Sequence, residues 1–348
     1  MQLSVGIVGL PNVGKSTLFT ALTKNQVDAA NYPFCTIDPN IGIVPVPDER
    51  LSKLNEIYQA EKIVPTVVEF VDIAGLVSGA NKGEGLGNTF LSHIREVDAI
   101  CQVVRDFADP NVTHVSGAIN PQSDIETINT ELLYADLATV DGRIGDIEAK
   151  AKSGDKELQE QLMVYQKIKA LLDKGTVLSN ASLSEEEQAL IYDLHLLTMK
   201  PMLYVLNVDE ADASQQKEGF IAISAKVEAE LASMSKHEAQ EYLQAIGLEK
   251  IGLDRLIEAA YSTLGLITFF TAGPKEVHAW AVERGSTAPQ AGAKVHTDFE
   301  EQFIRAEIAS WQDIVKYEGE AGAKAKGKVR IEGKEYVVQD GDVIYFRI

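Results

Sequence analysis

An α/β fold built on a parallel sheet, interrupted by a helical insertion and followed by a small mixed β domain, is predicted by three features of this sequence. The first is Gly9-Leu10-Pro11-Asn12-Val13-Gly14-Lys15-Ser16-Thr17, a complete G-x-x-x-x-G-K-[ST] loop set between the apolar strand run Val5-Gly6-Ile7-Val8 and a buried helix start at Thr17–Leu22. The second is the alternation of β-branched runs with helical stretches, which marks a sheet covered by helices. The third is a double change of pattern, to long charged helices near Ile125 and to short alternating strands near Thr263.

The loop carries the chemistry. Its glycines let backbone N–H groups wrap a phosphate, and the helix N-terminus adds partial positive charge. Asn12, Val13, Gly14, Lys15, Ser16 and Thr17 are therefore nucleotide-binding candidates, with Lys15 reaching the β/γ-phosphates and Ser16 ligating Mg²⁺. Strand runs follow at Ile41–Val44, Val67–Asp72 and Ala99–Val104, alternating with helices at Arg50–Ala60 and Thr89–Val97. Ligands of such sheets bind at the carboxyl ends of the strands. There, Asp72-Ile73-Ala74-Gly75 fits the D-x-x-G element, in which Asp72 holds Mg²⁺ through water and the Gly75 N–H senses the γ-phosphate. The loop Asn31-Tyr32-Pro33-Phe34-Cys35-Thr36 lies where a second hydroxyl ligand is needed, and Thr36 is the candidate.

Composition narrows the class. With 348 residues, 45% of them hydrophobic, two or three domains with real cores are expected. No apolar run approaches the roughly 20 residues of a membrane span and no signal pattern follows Met1, so a cytoplasmic, membrane-free protein is expected. Cys35 and Cys101 form no disulfide framework or metal spacing. A net charge of −20 opposes broad adhesion to nucleic acid or anionic membrane, so any RNA partner must meet a specific surface.

From Ile125 to Lys200, Leu133, Leu137, Val140, Ile144, Ile147 and Ala151 recur at four- and three-residue steps, a coiled-coil seam. Leu158, Leu162, Tyr165, Ile168 and Leu172 supply a second apolar face after the Ser153-Gly154-Asp155 turn, which predicts an antiparallel helical hairpin, and a third helix is expected over Ser184–Met199. Strand grammar returns with Met202–Leu206 and Phe220–Ile223, joined by a segment with room for one helical turn, and Leu253–Leu264 reads as a closing helix. The nucleotide domain is thus expected over residues 1–124 and 201–262, with the helical domain, 125–200, inserted in it. Residues 263–348 carry strands at Leu266–Thr271, Val277–Val282, Ile304–Ile308, Tyr336–Val338 and Val343–Arg347, one helix near Ser310–Tyr317, and a basic Gly/Lys-rich loop, Gly319–Lys328, where RNA contact is electrostatically cheapest.

These residues resemble one family along essentially the whole chain: the YchF/Obg-like ATPases, a branch of the translation-factor-related P-loop GTPases. The resemblance rests on Gly9–Thr17, Asn31–Asn40, Asp72-Ile73-Ala74-Gly75-Leu76, Asn207-Val208-Asp209-Glu210, Ser224-Ala225-Lys226 and His296-Thr297-Asp298-Phe299-Glu300. It implies a P-loop NTPase domain of Obg type, an inserted α-helical coiled-coil domain, a C-terminal TGS domain of β-grasp fold, and ribosome association through the TGS and helical domains, with a monomer expected. The segment after Glu210 is shorter than is usual in the family, which bears on the base-pocket wall.

Base choice follows from the N-x-x-E element. GTPases use N-K-x-D, whose aspartate accepts from guanine N1–H and N2–H₂ while the lysine stem packs on the ring. Here Glu210 is a methylene too long for that geometry and Val208 replaces the lysine; adenine, with no N2 donor, would leave a guanine-reading carboxylate unpaired. Asn207, Val208 and Glu210, with Ser224 and Ala225 from the base-side loop, are the base-pocket candidates, and ATP over GTP is the expectation; a conventional GTPase is the alternative. For catalysis, Leu76 stands where relatives carry a water-orienting glutamine. His114, in the loop leaving the Ile100–Val104 strand, is the candidate to act instead, a placement the resemblance supports. Lys15 and Asn12 complete the catalytic set, Asn12 by helping to seat K⁺ as in potassium-activated relatives. Leu76 also keeps open a ribosome-binding adaptor in which nucleotide is only a structural ligand.

Overall fold

A computed structural model describes residues 3–24, 40–73, 87–109, 119–152, 154–215, 217–248 and 250–348. The chain divides into two compact units. The first includes residues 69–256 together with the N-terminal segment; the second joins residues 43–68 to 257–348.

In chain order the first stretch is β1 (Ser4–Val8), α1 (Lys15–Lys24), β2 (Ile41–Pro45), α2 (Glu49–Tyr58), β3 (Lys62–Val64), β4 (Val67–Asp72), α3 (Asn88–Glu96) and β5 (Ala99–Asp106). The insertion supplies α4 (Pro121–Ala151), α5 (Lys156–Asp173) and α6 (Glu185–Ile191). Then come β6 (Met202–Val208), β7 (Ile221–Ile223), α7 (Ala225–Leu231), α8 (Lys236–Ala245) and α9 (Gly252–Thr263). One sheet has the order β2-β4-β1-β5-β6-β7. From β4 to β7 every pairing in it is parallel. Its middle strand β1 is buried at every position, as a strand covered on both faces must be. Parallel pairing brings Val8, Asp72, Asp106, Val208 and Ile223 to one edge, and β6 reaches β7 through a single 3₁₀ turn at Glu210–Asp212, as the short connection required.

The insertion is a helical hairpin. Asn120 caps α4 by accepting from the Ser123 N–H at 3.2 Å, with Pro121 in the first turn, so the helix begins ahead of the expected start at Ile125. Leu133 and Val140 of α4 pack with Val164, Tyr165, Ile168 and Leu172 of α5. The antiparallel sense is fixed by Lys169 pairing with Asp141 at 2.5 Å and by the Gln159 amide donating to the Ala151 carbonyl at 3.2 Å. The expected helix over Ser184–Met199 is instead α6 followed by two 3₁₀ turns, Tyr192–Leu194 and Leu197–Met199. The helix stops because His195 is left-handed (φ 46°) and because buried Asp136 accepts from the N–H groups of Leu197 and Thr198, each at 2.8 Å, and from the Thr198 hydroxyl at 2.7 Å. Among the described residues no helix is long and apolar enough to cross a membrane.

The second unit contains β8 (Leu266–Ala272), β9 (Glu276–Glu283), α10 (Ala288–Val295), α11 (Asp298–Glu301), β10 (Arg305–Ser310), α12 (Trp311–Lys316), α13 (Glu320–Ala325), β11 (Arg330–Glu332) and β12 (Asp342–Arg347). Its sheet order is β11-β10-β12-β8-β9-β3. Here the structure differs from the expected boundaries: residues 43–68, read as part of the nucleotide domain, lie in this unit. The reason is apolar surface. Leu51 and Leu54 of α2 are buried against Phe270, Ile314 and Val343, Tyr58 and Tyr345 share a hydrogen bond of 2.6 Å, and β3 runs parallel to β9 with Val64 opposite His278. The opposite face of the sheet is closed by α10, whose Ala288 and Ala291 pack on Ile267, Phe269 and Ile308. Tyr336–Val338 forms no strand beyond one bridge, Thr287 to Val337, and the Gly319–Lys328 segment is helical over Glu320–Ala325.

Helices α7 and α8 were not expected. Glu228 of α7 is buried and accepts from the Gly252 N–H at 2.8 Å and the Leu253 N–H at 3.4 Å, capping α9. Burial outweighs these two donors and pushes its carboxyl up from 4.5 to about 7. The native state then holds a proton that the unfolded chain releases near 4.5, so stability falls as pH rises from about 4.5 to about 7. Glu228→Gln keeps an acceptor and removes the titration. Urea unfolding midpoints measured across that window should therefore fall less steeply in the variant, by on the order of 1–3 kcal/mol of unfolding free energy.

Candidate nucleotide-binding site

The site begins where β1 ends. A Cβ on Gly9 would lie 2.6 Å from the Val103 carbonyl oxygen, so only glycine lets the loop cross β5 this closely. Asn12 (φ 63°) and Gly14 (φ 92°) are left-handed, and such turns direct successive N–H groups into a concavity that suits an anion. Val13 is buried and anchors the loop, while Ser16 and Thr17 are exposed in the first turn of α1. Lys15 is 8% exposed and its ammonium is paired with Asp72 Oδ1. The pairing of Ile7 with Asp72 across β1 and β4 sets that carboxylate beside the loop, and the Asp72 N–H is tied to the Asn40 carbonyl at 2.8 Å.

Asn207, at the end of β6, is 5% exposed. Its amide donates to the Val13 carbonyl at 2.8 Å and accepts from the Ala225 N–H at 2.9 Å, so one side chain spans the phosphate loop and the start of α7. A Cβ on Gly14 would collide with that same amide. Ser224 and Ala225 are buried, as a loop held by its backbone requires. Val208 differs from expectation. It is 2% exposed, packed with Val104, Leu206 and Ala222, so it is a core side chain and not a stem open to a ring; what it contributes is the absence of a lysine. Glu210 is exposed in the 3₁₀ turn after β6. Burial pushes the Cys101 thiol up to about 12, which makes it an inert core residue.

Thr36, Gly75, Leu76, Cys35 and His114 lie outside the described residues. The residues in place suit the expected metal: the Ser16 hydroxyl and Asp72 carboxylate are the hard oxygen donors Mg²⁺ takes. Sequence reasoning placed Asn207 at the base and missed its brace to Val13, for which the sequence carries no local signal. It also missed Tyr242 of α8, whose hydroxyl approaches Glu210 at 3.5 Å; the Ser235-x-x-Glu238 capping box is the signal that would have located its helix.

A strand, a loop of N–H groups, a lysine at the helix start and an aspartate on the adjacent parallel strand define a P-loop NTPase. Residues 4–133 match the MMR_HSR1 family model, "50S ribosome-binding GTPase", and residues 266–348 match the YchF-GTPase C-terminal model, "Protein of unknown function". The chain is 52% identical over 363 residues to the ribosome-binding ATPase YchF of Bacillus subtilis, covering 100% of this chain and 99% of the relative. It is 52% identical over 359 residues to the protein of the same name from Escherichia coli O157:H7, covering 99% of each. The solved structure of the Schizosaccharomyces pombe YchF GTPase superposes with a TM-score of 0.90 at 37% identity, over 99% of this chain and 98% of that one. This chain belongs to the YchF family.

Asn207→Ala strands the Val13 carbonyl and the Ala225 N–H in a buried setting. It should lower the unfolding free energy by about 1–3 kcal/mol and weaken nucleotide binding, read from urea midpoints and calorimetric titration of the same samples.

Proposed function

We propose that this protein is a ribosome-associated molecular switch that binds and hydrolyses ATP in preference to GTP. The observation that carries the base choice is Glu210, exposed at the end of β6 where a guanine reader has aspartate, above a Val208 turned into the core. The names of the relatives divide on this point, the bacterial ones being ATPases and the fission-yeast structure a GTPase. Ribosome association is supported by the bacterial names and by the family description matched over residues 4–133. The helical hairpin and the C-terminal domain, read as a TGS domain, are proposed as the contact surfaces, and the protein acts as a cytoplasmic monomer.

In this reading the phosphate loop binds the triphosphate through its N–H groups, and Lys15 leaves Asp72 to reach the β/γ-phosphates. Ser16, Thr36 and Asp72 would hold Mg²⁺, which would supply charge neutralisation at the phosphoryl oxygens. Asn12 helps to seat K⁺, the Gly75 N–H senses the γ-phosphate, and Ala225 with Ser224 contacts the ring. Leu76 cannot hydrogen-bond water, so His114 orients the attacking water or accepts its proton.

Calorimetric titration should give ATP an affinity at least several-fold above that of GTP, and Val208→Lys with Glu210→Asp should move the preference toward GTP; a wild-type protein that favours GTP would overturn the assignment. His114→Ala should lower steady-state ATP turnover by about 10²–10⁴-fold, with and without ribosomes, while ATP affinity stays nearly constant, the pattern of an interaction made in the transition state. Turnover in K⁺ should exceed that in Na⁺, and equal rates would remove the cation from the mechanism.

A further inference from the structure

One helix serves two cores. Ile128 and Leu132, in the N-terminal half of α4, lie in one buried cluster with Phe90 and Ile94 of α3, Leu197 and Ile73, the residue after Asp72, while Leu133 and Val140 of the same helix pack with α5 in the hairpin. Ile73, Ile94, Leu132 and Leu197 are each at most 1% exposed, and at that packing density a displaced side chain has no void to enter and must move its neighbours. A polar chain runs over the same ground. The Lys200 ammonium donates to the carbonyls of Arg95, at 3.1 Å, and of Val97, at the C-terminal end of α3, where a cation also complements the helix dipole. Just before it, the N–H groups of Leu197 and Thr198 are held by Asp136, one turn beyond Leu132 on α4. The end of α3, the Leu197–Met199 turn and α4 are thus linked through two side chains.

We propose that α4 carries the state of the phosphate loop to the helical hairpin, with Lys200 and Asp136 as the latch that makes α3, the Leu197–Met199 turn and α4 shift together. The proposal rests on the reading that ATP fills the loop and that the hairpin meets the ribosome. Asp72 supplies the difference between states: it pairs with Lys15 in this structure and loses Lys15 to the phosphates in the function proposed above. Ile73 follows Asp72 directly, so a change at that carboxylate enters the buried cluster at its next residue. α4 has 31 residues and is roughly 46 Å long at 1.5 Å per residue, so a small tilt at its base is magnified at its far end. Coupling of this kind is reciprocal: if nucleotide changes the affinity of the hairpin for the ribosome, the ribosome changes nucleotide affinity by the same factor.

The test compares the full-length protein without nucleotide and with a non-hydrolysable ATP analogue plus Mg²⁺, in the wild type, Lys200→Met and Lys200→Arg. Methionine keeps an unbranched apolar stem and removes the ammonium, whereas arginine keeps a cation. In the wild type, ribosome affinity from co-sedimentation should differ between the two states by at least about fivefold, and ribosomes should change analogue affinity by the same factor. In Lys200→Met both factors should fall towards one while analogue affinity off the ribosome stays unchanged, and Lys200→Arg should retain them. Hydrogen exchange reads the same link without ribosomes: the analogue should change the protection of the Leu197 and Thr198 N–H groups by at least about fivefold in the wild type and not in Lys200→Met. Wild-type exchange at these two groups that ignores the analogue, or a Lys200→Met variant that keeps the wild-type response, would overturn the proposal. If exchange responds as expected while ribosome affinity is the same in both states, the link within the fold stands and it is the reading of the hairpin as the ribosome contact that fails.

Discussion

The Asn207 side chain donates to the Val13 carbonyl and accepts from the Ala225 N–H, and because it is buried neither bond can be exchanged for one to water. The position of the phosphate loop relative to the base-side loop is therefore set by an amide of fixed length. The left-handed residues Asn12 and Gly14 make the loop curl, but curl alone does not say where the curled loop stands. The brace continues away from the site. α7 starts at the residue Asn207 holds, and three residues later Glu228 caps α9. Phosphate loop, base loop and closing helix are thus linked through two buried polar side chains, while apolar packing around them supplies most of the stability.

Charge is balanced inside this frame in a way that suits exchange. A buried ammonium or carboxylate without a partner would cost several kcal/mol, and Lys15 and Asp72 avoid that by meeting each other. In the proposed function each is also the residue assigned to a nucleotide complex, one to phosphate and one to a cation. On that proposal ligand entry would replace one neutral pairing with two others, so that neither group is left as a naked charge.

Most of the sheet was legible because its signals are local: β-branched runs gave β1, β4, β5 and β6, the Lys15–Ser16 pair located the phosphate loop, and the heptad seam gave the α4–α5 hairpin. What escaped depended on distant partners. Residues 43–68 read as one more helix and strand of the first unit, since nothing near Leu51 or Leu54 reveals that Phe270 and Val343 complete their core. The break after α6 has no breaker residue; Asp136, some sixty positions earlier, ends it by capping Leu197 and Thr198. At the site, Val208 was read from its place in a motif as a ring contact, but the inward phase of β6 at that position turns it to the core. Motif spacing reports which residues are near a ligand and leaves open which way each one faces.

The segment that α2 and β3 occupy has a consequence for how the polypeptide is made. Leu51, Leu54 and Val64 are translated about 200 residues or more ahead of the residues that cover them, from Phe270 to Val343. Over that interval the apolar face of α2 and a bare strand edge wait without their partners, a form of exposure that favours association with other chains. Closing that long loop late adds an entropic barrier that the locally stabilised helical hairpin does not face. The nascent protein should thus acquire its hairpin before the sheet that covers α2. A chain stopped before Thr263 would keep its phosphate loop and leave α2 permanently uncovered.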